Sequence, residues 1–120
     1  MVHDLFLINK NGYSSNLQAP PPWVLWKTCL RQVAFGSVHW ELDWNLSKDD
    51  QLYRGPQAYQ FCLETICGLN SPLVGETEVY GQFRKFFSQL AFSQTSWGHN
   101  FERIVQRLYS DAKLVRHNYL

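Results

Sequence analysis

Cys29 stands two residues after Lys27 and two before Arg31, with the hydroxyl of Thr28 beside it. A thiol is a useful nucleophile only as its thiolate, and nearby cations favour that form. In an extended segment alternate residues share a face, so Lys27, Cys29 and Arg31 are expected to point the same way, with Arg31 lowering the thiol pKa. The same residues admit a plainer account, in which Cys29 is a small buried apolar group at a strand end and Arg31 an ordinary solvated side chain. The other two thiols, Cys62 and Cys67, fall in a predicted helix on different faces, with no histidine at ligand spacing. They read as packing residues, and no metal site is expected. His3, His39, His99 and His117 form no pairing that would support Cys–His hydrolase chemistry.

The elements that must position these residues follow from the hydrophobic pattern. Residues 4–9 are a short apolar run closed by Lys10-Asn11-Gly12, which reads as a buried strand and a turn. Residues 11–22 end in Pro20-Pro21-Pro22 and form a connector, since consecutive prolines neither donate to a ladder nor continue a helix. Residues 23–28 resume as a strand. Ala34, Gly36, Val38, Trp40, Leu42 and Trp44 alternate with Ser37, His39, Glu41 and Asp43, which predicts one long, half-exposed strand. Residues 45–51 are expected to be a polar loop.

From Pro56 onward the pattern is helical. Pro56 suits a first turn and Gly68 a C-terminal cap, which predicts a helix from residue 56 to about 67. A second helix is expected to start near Gly75-Glu76, with Val79, Phe83, Phe86, Phe87 and Leu90 forming a core-facing stripe. A third is expected from about Asn100, with Ile104, Leu108 and Val115 apolar among Arg103, Arg107, Lys113 and Arg116. Strands followed by helices indicate an α+β fold: a small antiparallel sheet with helices packed on one face, ending in a long C-terminal helix.

Composition narrows the class. The 120 residues suffice for one domain, 1–120, and 45% hydrophobic against 18% charged residues is globular rather than disordered. Five Trp, six Tyr and eight Phe supply large rings for a core. A formal net charge of +1 argues against a long grip on nucleic-acid phosphates, though an acceptor end alone would need less. The first residues carry no basic signal region and no run reaches a membrane span, so a cytoplasmic chain with reduced thiols and no membrane partner is expected.

Residues 52–120 carry a more specific pattern: Gly68-Leu69-Asn70-Ser71, then Gly75-Glu76, then Gly81-Gln82 with Arg84, and a long helix ending SDAKLVR. This resembles the N-terminal catalytic domain of the glutamyl-tRNA reductase family, with its GLDS-x-x-x-GE-x-x-x-x-GQ-x-(K/R) segment. Upstream, Thr28, Cys29 and Arg31 are similar to that family's S-T-C-N-R-T-E block, and residues 5–9 to its opening strand. The resemblance implies a shortened, stand-alone version of that domain, in tetrapyrrole (5-aminolevulinate) biosynthesis. It implies Cys29 as the nucleophile that takes glutamate from glutamyl-tRNA as a thioester. Arg31 would pair with the substrate carboxylate, and Thr28, Ser71, Glu76 and Gln82 would complete the substrate site.

The departures from that pattern set limits. Leu30 replaces the family's Asn, Gln32-Val33 its Thr-Glu, Phe61 a histidine, and Glu78 a glutamine; the His-Lys-Thr after the first strand is Lys10-Asn11-Gly12, and a Pro-rich stretch stands in place of the first helix. Phenylalanine cannot assist proton transfer. The family's cofactor, NADPH, has no G-x-G-x-x-G unit here, and the chain stops in the helix that would lead to a cofactor domain. Complete reductase activity, with its hydride transfer, is therefore not expected of this chain alone, and no cofactor is expected on it. Three readings stay open: a thioester-forming domain that binds glutamyl-tRNA or glutamate; a non-catalytic relative that engages the full-length reductase, another pathway protein, glutamyl-tRNA or haem; or a remnant of a longer enzyme.

Overall fold

The computed structural model describes residues 1–12, 17, 19–28, 30–40, 42, 46–69 and 78–119. A single 3-10 turn, Val2–Asp4, leads into β1 (Leu5–Asn11), β2 (Val24–Lys27), β3 (Arg31–Ser37) and β4 (Gln51–Arg54). Three helices follow, α1 (Pro56–Ile66), α2 (Glu78–Ser88) and α3 (Ser96–Tyr119). The fold is α+β, with an antiparallel sheet first and a long helix last. The chain divides into two compact units, Val2–Tyr59 and Gln60–Leu120 with Met1, so the boundary falls inside α1.

In the sheet unit the strand order is β2-β3-β1-β4, every pairing antiparallel. The central β3 is buried at all seven positions, from Arg31 to Ser37. It is neither half-exposed nor as long as its alternating sequence suggests. Neighbours pair on both its edges, the face bearing Phe6, Ile8 and Ala34 is covered by connector residues Leu17, Ala19, Trp23, Val38, Trp40, Leu42 and Leu46, and the opposite face, with Arg31, Val33, Phe35 and Ser37, is buried as well. The strand stops at Ser37 because a turn begins there: Trp40 N–H donates to the Ser37 carbonyl at 3.1 Å, and His39 N–H to its Oγ at 3.1 Å. Val38, Trp40 and Leu42 thus serve as cover rather than strand. Trp23 meets Phe6 and Trp40 edge to face, at 5.7 and 5.5 Å between centroids. Gly36 is required under it, since a Cβ there would overlap the indole.

The polar stretch expected to be loop ends in strand β4, which pairs with β1 at the sheet's edge. Its side chains are mostly exposed, Leu52 to 41%, so no apolar alternation marks it. An ion pair fixes its start: Lys10 Nζ lies 3.2 Å from Asp50 Oδ1, with side-chain exposures of 13% and 2%. Asp50 Oδ2 also accepts the Ser47 N–H at 2.9 Å. β1 itself runs through Lys10 and Asn11, two residues beyond the expected end, because Asn11 pairs with Arg31. The turn follows at Gly12, with φ +81°.

In the helical unit, α1 ends as its cap residue dictates. Gly68 takes φ +80°, its N–H donates to Thr65, and the Leu69 N–H to Glu64, the bonding of a Schellman motif. α2 and α3 meet through aromatic rings, with Phe83 4.6 Å from Phe87 and 5.7 Å from Tyr109, and Phe87 5.7 Å from Phe101. Val79, Phe83 and Phe87 are buried, whereas Phe86 is half-buried and Leu90 lies past the helix end. The start expected for α2, at Gly75-Glu76, falls outside the described residues. α3 begins four residues before Asn100, because Thr95 Oγ1 accepts the Gly98 N–H at 3.0 Å and caps it. Phe101, Ile104, Val105, Leu108 and Ala112 make its buried stripe, and Val115 is only half-buried.

Candidate functional site

The hairpin between β2 and β3 holds the candidate chemistry. Its closing bond runs from the Thr28 N–H to the Arg31 carbonyl at 2.9 Å. Thr28 Oγ1 accepts the N–H groups of Leu30 and Arg31, each at 3.2 Å, and donates to the Arg31 carbonyl at 3.3 Å. The threonine hydroxyl is therefore the staple of the turn that carries Cys29 in the sequence. Cys29, Ser71 and Glu76 lie outside the described residues.

The reversal changes the expected relation of the two cations. Lys27 closes β2 and pairs with Gln32, so it shares that residue's face, while Arg31, one position earlier on β3, faces the other way. They do not flank a common point on one extended strand. Lys27 is exposed; Arg31 is 6% exposed, so it is not a solvated side chain. Arg31 stands opposite Asn11, and Asn9 and Val33 come next along the same face. Gln51, opposite Asn9, completes a polar end on an otherwise apolar face.

Within that polar end the Asn9 amide donates to Asn11 Oδ1 at 3.1 Å and to Gln51 Oε1 at 3.0 Å. Its Oδ1 is buried and has no hydrogen-bond partner among the described residues. An acceptor left so costs about 1–3 kcal/mol unless a donor arrives. Asn9 was hidden in the sequence as the last residue of an apolar run. Gln32, a departure from the family pattern, serves the fold. Its Oε1 accepts the Leu17 N–H at 2.7 Å, and its amide donates to the Gly12 carbonyl at 3.4 Å. It ties the connector to the sheet.

The remaining site residue, Gln82, is half-buried on α2 in the helical unit. Phe61 is half-buried on α1, and Glu78 is exposed at the first position of α2. Burial pushes the Cys62 thiol far up, and the neighbouring Cys67 adds to that. Burial raises Cys67 as well, against the opposing pull of Arg116. Both stay protonated near neutral pH and pack rather than react.

Among the described residues, no helix is long and apolar enough to cross a membrane. The sheet is antiparallel, and its strand-to-helix junction, Arg54-Gly55-Pro56, has a single glycine.

Comparison with known proteins follows the same lines. A family model described as glutamyl-tRNAGlu reductase, N-terminal domain, matches residues 24–119, across both units. Glutamyl-tRNA reductase of Pseudoalteromonas translucida (strain TAC 125) is 31% identical over 80 residues, which are 67% of this chain and 19% of that protein. Glutamyl-tRNA reductase from Methanopyrus kandleri matches with a TM-score of 0.68 at 16% identity, over 96% of this chain and 35% of that one, a likeness of fold. The chain thus spans about a fifth of the curated relative and about a third of the solved one.

Proposed function

Because the chain belongs to the glutamyl-tRNA reductase N-terminal domain family, we propose that it binds the glutamyl end of glutamyl-tRNA at the β2–β3 hairpin and accepts glutamate on Cys29, within tetrapyrrole synthesis. The Cys29 sulfur attacks the ester carbonyl carbon, a C–S bond forms, and the C–O bond to the terminal ribose breaks. The ribose oxygen leaves with a proton and the thiol has lost one, so the step needs no external oxidant or reductant. Hydride delivery belongs to a separate chain or domain.

The observation that carries this reading is the burial of Arg31 at the polar end of the sheet, two residues from Cys29. A guanidinium enclosed there suits a carboxylate better than water does. Asn9 Oδ1 on the same face, without a hydrogen-bond partner among the described residues, is an acceptor for the substrate's ammonium group. Asn9 and Arg31 are diagonal cross-strand neighbours, a spacing of about 7–8 Å between backbone positions, which suits the two ends of one glutamate.

A second reading, a non-catalytic relative that binds the full-length reductase, is favoured by Phe61 and by the Thr28 hydroxyl. The family's histidine is absent at residue 61, and the threonine donor is committed to its own turn. One experiment separates the two. Folded protein is incubated with labelled glutamyl-tRNA, without NADPH, and intact mass and glutamate release are followed for wild type and Cys29→Ser. A glutamyl adduct, or release that needs Cys29, is the expected result. Neither, from both proteins alike, would leave the non-catalytic reading.

A further inference from the structure

Two arginines of the helical unit converge on one ring. Arg116 lies over Tyr80 with its guanidinium carbon 4.5 Å from the centroid, and Arg84 is 6.0 Å from the same centroid and 5.7 Å from that of Tyr109. Among the described residues neither arginine forms an ion pair, whereas Arg107 on α3 has Asp111 3.7 Å away. Like charges gathered without a carboxylate raise each other's energy, and the rings offset only part of that. An arriving anion removes the rest. A guanidinium held over a ring by cation–π attraction keeps N–H donors for the paired oxygens of a phosphate.

A cleft adjoins Arg84 and Tyr109. Its cavity is about 300 Å³, with Phe87, Leu90 and Phe92 as apolar lining and Arg84, Tyr109 and Gln106 among the polar groups. Ser88 and Glu102 complete it. That volume is at the small end for ligand pockets, and ring surfaces beside an amide and a carboxylate suit a base, through stacking and edge hydrogen bonds. The charge is local: α2 and α3 carry six cations (Arg84, Lys85, Arg103, Arg107, Lys113, Arg116) against three carboxylates (Glu78, Glu102, Asp111). Residues 1–59 are balanced, five against five. Glu64 and Glu76 are the remaining carboxylates, so residues 60–120 hold six cations against five carboxylates and the local excess is confined to α2 and α3.

We infer that Arg84 and Arg116, gathered beside the rings of Tyr80 and Tyr109, hold a backbone phosphate of an RNA whose adjacent unpaired nucleotide enters the Phe87–Phe92 cleft. This deepens the proposed function by naming where that unit would grip the RNA, and it rests on that reading for the identity of the RNA. The test is equilibrium binding of the full chain to a fluorescent tRNA acceptor-stem minihelix with its single-stranded 3′ extension, and to the same duplex made blunt, across a salt series. Wild type is expected to prefer the extended RNA. Each of Arg84→Ala and Arg116→Ala is expected to weaken it about tenfold and to reduce the log–log salt slope by about one. Gln106→Ala is expected to weaken binding of the extended RNA only.

Arg84→Gln and Arg116→Gln, which keep a planar amide over the rings, give the same reading if an alanine variant does not fold. Equal affinity for blunt and extended RNA, or an unchanged affinity and slope in the arginine variants, would overturn the inference. A glutamyl adduct on Cys29 with no arginine dependence of RNA binding would overturn it and leave the thioester reading standing. Arginine-dependent RNA binding without an adduct would do the reverse.

Discussion

The two units treat their cations in opposite ways. In the sheet unit, Lys10 is held by Asp50 at 3.2 Å with both side chains largely out of water, and the pair anchors an edge strand. In the helical unit, Arg84 and Arg116 rest on tyrosine rings and, among the described residues, have no carboxylate partner. The first arrangement is complete in itself, and removing either member strands the other. The second is incomplete, and removing a member relieves repulsion. A satisfied ion pair reports on the fold; an unsatisfied pair of cations reports on a ligand.

The sharpest way to break that contrast is Asp50→Ala. It should cost about 3–5 kcal/mol in denaturant unfolding, because a mostly buried ammonium loses its counterion. The double change Lys10→Met with Asp50→Leu should recover most of it, and a loss that persists in the double variant would mean the charge pairing was not the cause. Next comes Gly36→Ala, expected to lose about 1–3 kcal/mol as the new methyl group displaces Trp23 from the sheet face. A wild-type melting curve for Gly36→Ala would show that the connectors are not pressed onto the strand as described.

Capping of α3 is worth less: Thr95→Ala should cost about 1 kcal/mol, read from the same denaturation curves, and Thr95→Asp should restore it. Alkaline pH is a further probe of the helical unit. Cys62 is raised by burial, so above the ordinary thiol range the unfolded chain gives up a proton that the folded chain keeps. Stability should be fully present below about pH 8.5 and fall as pH rises beyond it, and Cys62→Ala should flatten that decline. The smallest effect is expected of Arg84→Ala, whose exposed side chain should change stability by less than about 1 kcal/mol in either direction. A loss as large as that of Asp50→Ala would place Arg84 in the structural class and erase the contrast.

How much of this could be read from the sequence depended on whether a residue's role was local. Pro56 and Gly68 bracket α1 because helix ends are decided by neighbours a few positions away, and the Val79, Phe83, Phe87 stripe follows from helical period alone. β4 was not legible, since an exposed edge strand is defined by the partner it pairs with and carries no alternation of its own. β3 misled for the opposite reason. Its polar Gln32 looks solvent-facing until residues 17 and 23 and the segment after Ser37 are known to fold over its face of the sheet, and Arg31 and Ser37 are buried on the opposite face. The hairpin at Thr28 likewise separated Lys27 from Arg31, a reversal that a Thr-Cys-Leu-Arg string does not announce. Of the proposed site, Arg31 and Thr28 stand out in the sequence by type, spacing and family resemblance, whereas Asn9 needed its two cross-strand partners before its open acceptor could be noticed.

The layer over Phe6, Ile8 and Ala34 comes from two separate connectors rather than from one continuous helix. A helix can form its bonds before it docks, but a cover assembled from Leu17, Trp23, Trp40 and Leu46 exists only once the strands it rests on have paired. The cover must therefore arrive late in folding and lift early in any partial opening. Amide protons of β2 and of the turn after Ser37 are then expected to exchange with solvent through that local lifting, well before β1, which lies between two partner strands, gives up its own.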